Sequence, residues 1–305
     1  FARQGSNEIS FGQNTMGTTY SVKIIVHGDK AAGEEAVAKA LESVNARMST
    51  YQDDSELMKF NASKQTSVEV SDELQLVVKS ALDISRQTDG AFDITFASAG
   101  HLYDYREGKA PDDAQLADAA RHIGADRIEL LPDYQVRFRT PGTRIDLGGI
   151  AKGHAIDRGI ALLKEAGVEH AWLSLGGDSY VLGDHRGRPW EVGIQHPRNR
   201  EKVAMRLPIT DLAMSTSGDY QRYFIRDGRR IHHILSPQTG KSIDGLASVT
   251  VLADNSLDAD ALSTSVFVLG VEKGLSLINR LPETSAIIID RGGNVFYSND
   301  LTTPE

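Results

Sequence analysis

Two short segments of the sequence combine residue types that suit a phosphate or a hard cation. In Ile145-Asp-Leu-Gly-Gly-Ile-Ala-Lys-Gly153, paired glycines join a predicted strand to a predicted helix, which leaves backbone N–H groups open to an anion. Lys152 falls in the first helical turn, where its amino group can reach a phosphate. The alternative is a tight strand-to-helix turn with a solvated lysine, since the segment matches neither the P-loop nor the G-x-G-x-x-G motif.

The second segment is Asp258-Ala-Asp-Ala-Leu-Ser-Thr264. Asp260 and Thr264 are four residues apart, so a helix places them on one face, and Ser263 borders that face. Carboxylate and hydroxyl oxygens suit Mg²⁺, which needs few protein ligands and completes its shell with water and phosphate. The alternative is a capping aspartate followed by ordinary helix hydroxyls.

A pair of histidines offers a candidate base. His232 and His233 lie on a predicted strand that leads into Ile-Leu-Ser-Pro-Gln-Thr-Gly240. Neighbouring strand residues point to opposite faces, so the two imidazoles are poorly placed to bind one ion together. One of them can act as a general base, and the alternative is a structural histidine with a satisfied hydrogen bond.

Methionine and aromatic side chains offer a candidate site for a flat ring. They occur in Met16-Gly-Thr-Thr and in Met48-Ser-Thr-Tyr51. A thioether and a phenol ring can enclose an aromatic ligand between them. The alternative for both segments is ordinary core packing.

Composition limits the classes of function. The 305 residues include 33 basic and 42 acidic side chains, a net charge of -9, so the chain lacks the basic balance typical of nucleic-acid binding. The absence of cysteine excludes disulfides, thiolate metal ligands and a thiol nucleophile. We find no apolar stretch that we expect to span a bilayer. The sequence begins at Phe1, which fits either a removed signal segment or a shortened sequence.

The elements that must position these residues are predicted as mixed helices and hairpins without regular β-α-β repetition, which indicates an α+β fold with largely antiparallel sheets. We predict one structural unit over residues 1–305, with two lobes as the alternative arrangement, and a charged surface loop over Arg186–Lys202. Predicted strands cover Thr18–His27, Arg127–Leu131, Tyr134–Arg139, Arg144–Leu147, Ala171–Leu175, Arg222–Arg226, Arg229–Leu235, Ala247–Leu252 and Ala286–Asp290. Predicted helices cover Ala31–Met48, a segment starting at Ser71, Pro111 to about Gly124, Gly149 to about Ala166, Leu257–Leu269 and Val271–Leu281.

Together these motifs resemble the ApbE family, the FAD:protein FMN transferases. The resemblance covers about residues 11–297, and several separate motifs in the expected order make a chance match improbable. The motifs are Met16-Gly-Thr, Met48-Ser-Thr-Tyr51, Gly90-Ala-Phe-Asp93, Asp146-Leu-Gly-Gly-Ile-Ala-Lys-Gly153, Leu175-Gly-Gly-Asp178, Ser215-Thr-Ser-Gly-Asp219, His233-Ile-Leu-Ser-Pro-Gln-Thr-Gly240 and Asp260-Ala-Leu-Ser-Thr264.

The resemblance implies a role for individual residues. It implies a cation, Mg²⁺ with Mn²⁺ as the alternative, and it implies that His233 is the base. The implied cation ligands are the carbonyl of Gly149 with Asp260 and Thr264, assisted by Ser263. The implied FAD contacts are Met16, Tyr51, Ala91, Phe92, Asp93, Asp146, Lys152 and Ile234.

The resemblance also implies a reaction and a setting. The FMN half of FAD is transferred to a Ser or Thr hydroxyl of an acceptor protein, and AMP leaves. The implied acceptors are exported regions of membrane electron-transfer flavoproteins with the motif Asp-x-x-(Ser/Thr)-Gly-Ala-(Ser/Thr). The implied location is the periplasm or another exported site, in some members through a lipid anchor, here outside this sequence. Two alternatives stay open: a pyrophosphatase that splits FAD into FMN and AMP, and a flavin-binding protein without catalysis.

Two departures from the family pattern concern the same site. Many members have Phe-Asp-Pro-Thr-Val-Gly where this chain has Phe92-Asp-Ile-Thr-Phe-Ala, so we expect a different pocket wall there. Many also have an aspartate where this chain has Ser236, which puts in doubt a carboxylate that orients His233.

Overall fold

A computed structural model describes residues 7–16, 18–26 and 33–302. Its helices are α1 Glu34–Met48, α2 Glu56–Ala62, α3 Asp72–Gln87, α4 Ala97–Gly100, α5 Asp113–Ala120, α6 Ala151–Glu165, α7 Ser256–Ile278 and α8 Asn299–Thr302. Its strands are β1 Asn7–Thr15, β2 Thr18–Val26, β3 Ser67–Glu69, β4 Ile128–Leu131, β5 Gln135–Phe138, β6 Ala171–Leu175, β7 Asp178–Leu182, β8 Trp190–His196, β9 Asn199–Ile209, β10 Leu212–Gly218, β11 Tyr223–Arg226, β12 Arg229–His232, β13 Leu246–Ala253, β14 Ser285–Asp290 and β15 Val295–Tyr297. The predicted α+β class is confirmed. The predicted bounds His27 and Ala31 lie outside the described residues.

The largest sheet among the described residues has eight strands in the order β1-β2-β6-β7-β10-β13-β14-β15, all paired antiparallel. Helices α1 and α6 pack over β2 and β6 on one face, and α7 packs over β13 and β14 on the same side. The β8–β9 hairpin covers the opposite face through Trp190, Val192 and Ile194. Strand β13 is buried along its whole length because both faces of the sheet are covered.

The crossing of α6 and α7 brings the two sequence motifs together. A Cβ on Gly153 would lie 2.2 Å from the carbonyl oxygen of Ser256, so only glycine permits this approach. One turn further along α6, the carboxylate of Asp157 accepts the N–H groups of Ser256 at 2.7 Å and Leu257 at 2.9 Å. The first turn of α6 therefore lies against the first turns of α7.

Helix α7 consists of two helical segments that meet at a kink at Gly270, where the backbone is not helical (φ 79°, ψ −177°). The two helices predicted on either side of this glycine are therefore confirmed. Helix α7 is long and apolar enough to cross a bilayer, contrary to the expectation from the sequence. In the protein, however, 50% of its most apolar 18-residue stretch is buried. Its packing over β13 and β14 identifies it as a core helix.

The predicted strand Arg144–Leu147 is wrong. The segment has no regular secondary structure and pairs with none of the described strands, because its backbone bonds to side chains and to a loop instead. Asn61 bonds to both the N–H and the carbonyl of Ile145, at 2.9 Å and 2.8 Å, and the N–H of Asp146 donates to the carbonyl of Ile94 at 3.0 Å. These contacts fix the chain just before the paired glycines.

The predicted surface loop Arg186–Lys202 is also wrong. It contains β8 and the start of β9, joined by a tight turn at Pro197. The alternation of buried Trp190, Val192 and Ile194 with more exposed neighbours is the signature of a half-buried strand, which the surrounding charges obscured.

One apolar cluster of the described residues extends from Tyr20 to Ala261 and joins strands, helices and the loop at Phe92. This continuity supports a single unit, and the assignment of residues 1–305 to one domain stays a prediction.

Candidate active site

Two cavities meet beside the first turn of α6. The smaller, of about 140 Å³, lies among Phe92, Ile234 and the start of α7, and the larger, of about 500 Å³, lies between the main sheet and the β8–β9 hairpin. The residues that line both cavities are Lys152, Thr216, Gln221 and Arg222.

Lys152 forms the charged centre of this junction. Its amino group donates to the fully buried carboxylate of Asp178 and lies 4.0 Å from an oxygen of Asp260. Burial lowers the pKa of Lys152, but the two carboxylates raise it by more, so the amino group stays charged. The structure therefore places the predicted phosphate-binding lysine in a polar site and not in solvent.

Asp260, Thr264 and Gly149 come together as the resemblance implies. Asp260 is buried and accepts the N–H of Gly153 at 3.0 Å. A Cβ on Gly149 would lie 3.3 Å from the hydroxyl oxygen of Thr264 and 3.2 Å from the ring of Phe92. The paired-glycine turn of α6 and the Asp-Thr face of α7 thus enclose one small polar space at the wall of the smaller cavity.

Ser263 has a different environment from Thr264. Its side chain is fully buried, and its hydroxyl bonds to Ser217 at 2.8 Å, to Ser215 at 3.2 Å and to the carbonyl of Asp260 at 2.9 Å. With its hydrogen-bonding capacity taken up by protein groups, Ser263 supports the position of Asp260, and the geometry favours this role over direct cation binding.

The N-terminal amides of α6 are less available to an anion than the sequence suggests. The N–H of Gly148 donates to Asp146 at 2.6 Å, and that of Gly153 donates to Asp260. The N–H groups of Ile150 and Ala151 both donate to the carbonyl of Leu147. The expectation of an open amide cradle is therefore wrong for these groups, because the turn itself and the Asp260 carboxylate of α7 accept their hydrogen bonds.

The charges of this space suit a divalent cation. Burial and the neighbouring Asp178 carboxylate raise the pKa of Asp260 despite the nearby Lys152, so added positive charge would stabilise the ionised form. The described residues contain no cluster of three or more His, Cys, Asp and Glu side chains suited to a metal. The set of one carboxylate, one hydroxyl and one backbone carbonyl instead resembles the sparse oxygen sites that Mg²⁺ uses.

The smaller cavity has an apolar wall suited to an aromatic ring. Ala91, Phe92 and Ile234 are buried there, as predicted for the ligand pocket. Asp93 also lines the wall, but its carboxylate accepts the N–H of Thr95 at 2.9 Å and caps a 3-10 helix. Burial raises the pKa of Asp93, so this residue shapes the wall rather than adding a strong charge.

The two histidines differ as predicted. His232 is fully buried, with Nε2 donating to the carbonyl of Ile243 at 2.6 Å and Nδ1 accepting the N–H of Ile234 at 3.3 Å. His233 lines the smaller cavity, and its Nδ1 is buried without a hydrogen-bond partner among the described residues. Among the residues that the structure describes, no carboxylate bonds to its ring, in line with the departure at Ser236.

The ring of His233 is neutral at physiological pH. Burial, then the positive charge of Arg222, lowers its pKa to about 3. The neutral imidazole is the form that can accept a proton, but at this pKa it is a weak base, and a bound anionic pyrophosphate would raise the pKa toward the range that a general base needs.

Tyr51 and Met16 lie near the junction of the two cavities, Tyr51 beside Arg222 and Met16 in the wall of the larger cavity. The ring of Tyr51 is 53% exposed, so the core-packing alternative is wrong for this residue, and the guanidinium of Arg222 lies 5.1 Å from its centre. Met16 is half-buried and lines the larger cavity. Asp146 lines the smaller cavity between these groups and the paired glycines. Met48, by contrast, is a core residue.

Three functional residues received no role from the sequence. Asp178 and Ser215 were recognised only as parts of motifs, and the structure shows that they hold Lys152 in place, with the Ser215 hydroxyl 2.5 Å from Asp178. Arg222 was placed only on a strand. The Asp227-Gly228 turn could have identified Arg222. It pairs Tyr223 with His232, so the next position along each strand brings Arg222 opposite His233.

Comparison with models of known protein families shows the family to which this chain belongs. The model of the ApbE family matches residues 16–289. This chain belongs to the ApbE family.

Named relatives and solved structures of the family are similar over most of the chain. The FAD:protein FMN transferase of Haemophilus influenzae is 35% identical over 289 residues, covering 89% of this chain and 84% of that protein. The FAD:protein FMN transferase of Vibrio cholerae is 33% identical, covering 96% and 92%. The crystal structure of the ApbE protein from Thermotoga maritima superposes with a TM-score of 0.88 at 29% identity, over 97% of this chain and 98% of that one. The apo flavinyl transferase ApbE of Pseudomonas stutzeri gives 0.86 at 32%, over 97% and 96%.

Proposed function

We propose that this ApbE-family member transfers FMN from FAD to a Ser or Thr hydroxyl of an acceptor protein and releases AMP. The observation that carries the proposal is the meeting of two cavities at Lys152, beside Asp260 and Thr264, in a chain whose relatives are named for this reaction. FAD has two aromatic ends joined by a pyrophosphate, and a charged junction between two cavities suits that shape.

In this proposal Asp260, Thr264 and the carbonyl of Gly149 would hold Mg²⁺, with Mn²⁺ as the alternative. The bound cation would neutralise charge on the pyrophosphate and so lower the barrier to phosphoryl transfer. Two carboxylates, those of Asp178 and Asp260, lie beside Lys152, and Asp146 lines the same cavity as Lys152. A pyrophosphate would be repelled by this arrangement without an added cation.

Two side chains of the protein bind the pyrophosphate and remove the proton from the acceptor hydroxyl. Lys152, held by Asp178, binds the pyrophosphate oxygens and keeps them oriented. His233 accepts the proton of the acceptor hydroxyl as that oxygen forms a bond to the phosphorus on the FMN side. The bond between this phosphorus and the bridging oxygen breaks, and AMP leaves with the electron pair of that bond.

The acceptor and the cellular location belong to the same proposal. We expect acceptors among membrane electron-transfer flavoproteins that carry the Asp-x-x-(Ser/Thr)-Gly-Ala-(Ser/Thr) motif. We also expect the reaction to take place in the periplasm or another exported site, where a lipid anchor would tether the enzyme near such partners.

The pyrophosphatase alternative uses the same groups with water as the nucleophile. A transferase differs by keeping water poorly placed until the acceptor docks, because positioning of the nucleophile carries much of the rate. We expect FAD and Mg²⁺ alone to give slow AMP release, and an added acceptor domain to accelerate it. AMP release that is fast and independent of the acceptor would favour the pyrophosphatase. FAD binding without any AMP release, with or without acceptor, would favour a flavin-binding protein.

Tyr51 is expected to stack on the isoalloxazine ring. Tyr51→Ala should weaken FAD binding by about 1–2 kcal/mol through lost stacking and buried area. Titration of FAD by fluorescence quenching measures this loss. Tyr51→Phe keeps the ring and should bind FAD nearly as well as the unmodified protein.

Tyr134 provides the matched control, because its ring is 52% exposed, as that of Tyr51 is 53% exposed, but it lies on the β4–β5 turn and is not the ring that Arg222 contacts. Tyr134→Ala should leave FAD affinity unchanged. Equal affinities for the Tyr51→Ala and Tyr134→Ala variants would remove Tyr51 from the flavin site.

A further inference from the structure

Arg222 occupies the junction of the two cavities and has no role so far. Its side chain lines both cavities, as does that of Lys152. The charge of Lys152 is committed to Asp178, whereas no carboxylate forms an ion pair with Arg222 in the part of the chain that the structure describes. Arg222 is therefore held by no ion pair in the described part of the chain, although burial raises the pKa of the nearby Asp146 carboxylate and the charge of Arg222 opposes that rise.

The hairpin aims Arg222 at the reacting groups. The N–H of His233 donates to the carbonyl of Arg222 at 3.1 Å, which continues the antiparallel register from the pair Tyr223 and His232. Residues directly opposite each other in such a pair project to the same face. Arg222 and His233 thus face the smaller cavity together, as its lining confirms.

The backbone that carries Arg222 is firmly held. Asp219, which is fully buried, accepts two hydrogen bonds from Arg198, at 2.6 Å and 2.9 Å, and its N–H donates to the carbonyl of Ala247 at 3.1 Å. The amide of Gln221 donates to the carbonyl of Thr216 at 3.0 Å. These contacts hold the backbone on the N-terminal side of Arg222. The guanidinium of Arg222 itself lies against the exposed ring of Tyr51.

We infer that Arg222 is a substrate-binding residue whose guanidinium donates to the pyrophosphate oxygens of FAD, opposite Lys152. The inference rests on the proposed function. A planar guanidinium offers two parallel N–H donors to a phosphate, and its permanent charge offsets the charge that Asp146, Asp178 and Asp260 impose on the junction. FAD that stacks on Tyr51 would bring its pyrophosphate within reach of the same guanidinium.

The test compares FAD with riboflavin, which lacks both the pyrophosphate and the adenosine of FAD. FAD and riboflavin are titrated in Mg²⁺ against the unmodified protein, Arg222→Gln, Arg222→Lys and Arg226→Gln. Arg222→Gln should weaken FAD binding by roughly 10- to 100-fold, the usual loss for a hydrogen-bonded charge, and leave riboflavin binding within about twofold. Arg222→Lys should restore part of the FAD affinity, since it keeps the charge but loses the paired donors.

Arg226→Gln is the matched control. Arg226 lies on the same hairpin, with its guanidinium 5.4 Å from the ring of Phe224, but it lines neither cavity. Its variant should bind both flavins as the unmodified protein does. If Arg222→Gln fails to fold, Arg222→Lys alone tests the inference. An FAD affinity of Arg222→Lys equal to that of the unmodified protein would then contradict the inference.

Three other outcomes overturn the inference. Equal loss of FAD and riboflavin binding would mean that Arg222 only positions Tyr51. Unchanged FAD affinity with a raised KM for the acceptor would mean that Arg222 binds the acceptor. Failure of the unmodified protein to bind FAD would overturn both the inference and the proposed function, whereas FAD binding without transfer would overturn the proposed function alone.

Discussion

Replacing Asp260 with Ala is expected to abolish turnover while the protein stays folded. Asp260 is the charged member of the proposed cation site, and loss of a catalytic cation removes several kcal/mol of transition-state stabilisation, so we expect a rate at least ~10³-fold lower. The fold should survive because burial beside Asp178 already disfavours this carboxylate. Steady-state AMP release in the presence of acceptor, measured over a range of Mg²⁺ concentrations, gives the result.

Two further variants make the Asp260 result specific. Asp260→Asn keeps an acceptor for the N–H of Gly153 but loses the charge, so it should be nearly as inactive as Asp260→Ala. Asp258→Asn removes a charge from the same helix, where Asp258 contacts the capping residue Asn255, and should stay active. Ser263→Ala should show a milder loss, through its support of Asp260. Activity of Asp260→Ala near that of the unmodified protein at saturating Mg²⁺ would refute the cation site.

Replacing His233 with Asn is expected to lower the transfer rate by roughly 10²- to 10⁴-fold, the usual contribution of a general base. FAD affinity should be nearly unchanged, because the ring lies beside the expected path of the acceptor proton and makes no hydrogen bond to a described residue. Single-turnover transfer from prebound FAD separates the chemical step from binding.

His232→Asn provides the contrast. His232 bonds to Ile243 and packs against Phe267 in the core, so its loss should lower the melting temperature. The rate per folded molecule should fall far less than for His233→Asn. Equal losses of rate at both positions, with equal losses of stability, would indicate that the hairpin histidines are both structural.

Local signals in the sequence were sufficient for the elements that carry the site. Ser71 accepts the N–H of Leu74 at 3.1 Å as the cap of α3, and Asp112 completes a capping box at α5, so both helix starts were readable from side-chain type. The Asp227-Gly228 turn likewise specified its hairpin. Such features depend on residues close together in the chain.

Contacts between distant residues were not readable in the same way. The pairing of Lys152 with Asp178 depends on the crossing of α6 over the sheet, and no local pattern in the sequence encodes it. Strand β8 was hidden because its exposed positions and turns are charged, although its buried positions alternate. The segment at Ile145 does not form the predicted strand, because Asn61, far away in sequence, supplies the bonds that a neighbouring strand would have supplied.

Each motif is a compact structural unit, so short-range patterns in the sequence could group its residues. Asp260 and Thr264 lie four residues apart on α7, as the sequence predicts, and Gly149 lies in the turn before α6, close to Thr264. Their convergence on one cavity required Gly153, whose lack of a side chain lets α6 and α7 touch. The roles that the resemblance implies for these residues stay predictions until the variants are measured.

The most direct test of this account is the intact mass of an acceptor. An acceptor domain with the Asp-x-x-(Ser/Thr)-Gly-Ala-(Ser/Thr) motif is incubated with this protein, FAD and Mg²⁺, and its mass is then determined beside that of a variant whose acceptor Thr is replaced by Val. The account predicts that the acceptor gains the mass of one FMN less one water, that AMP appears in equal amount, and that the Val variant gains nothing. Rapid AMP release in the absence of acceptor, together with an unchanged acceptor mass, would contradict the transferase assignment and establish hydrolysis of FAD as the reaction.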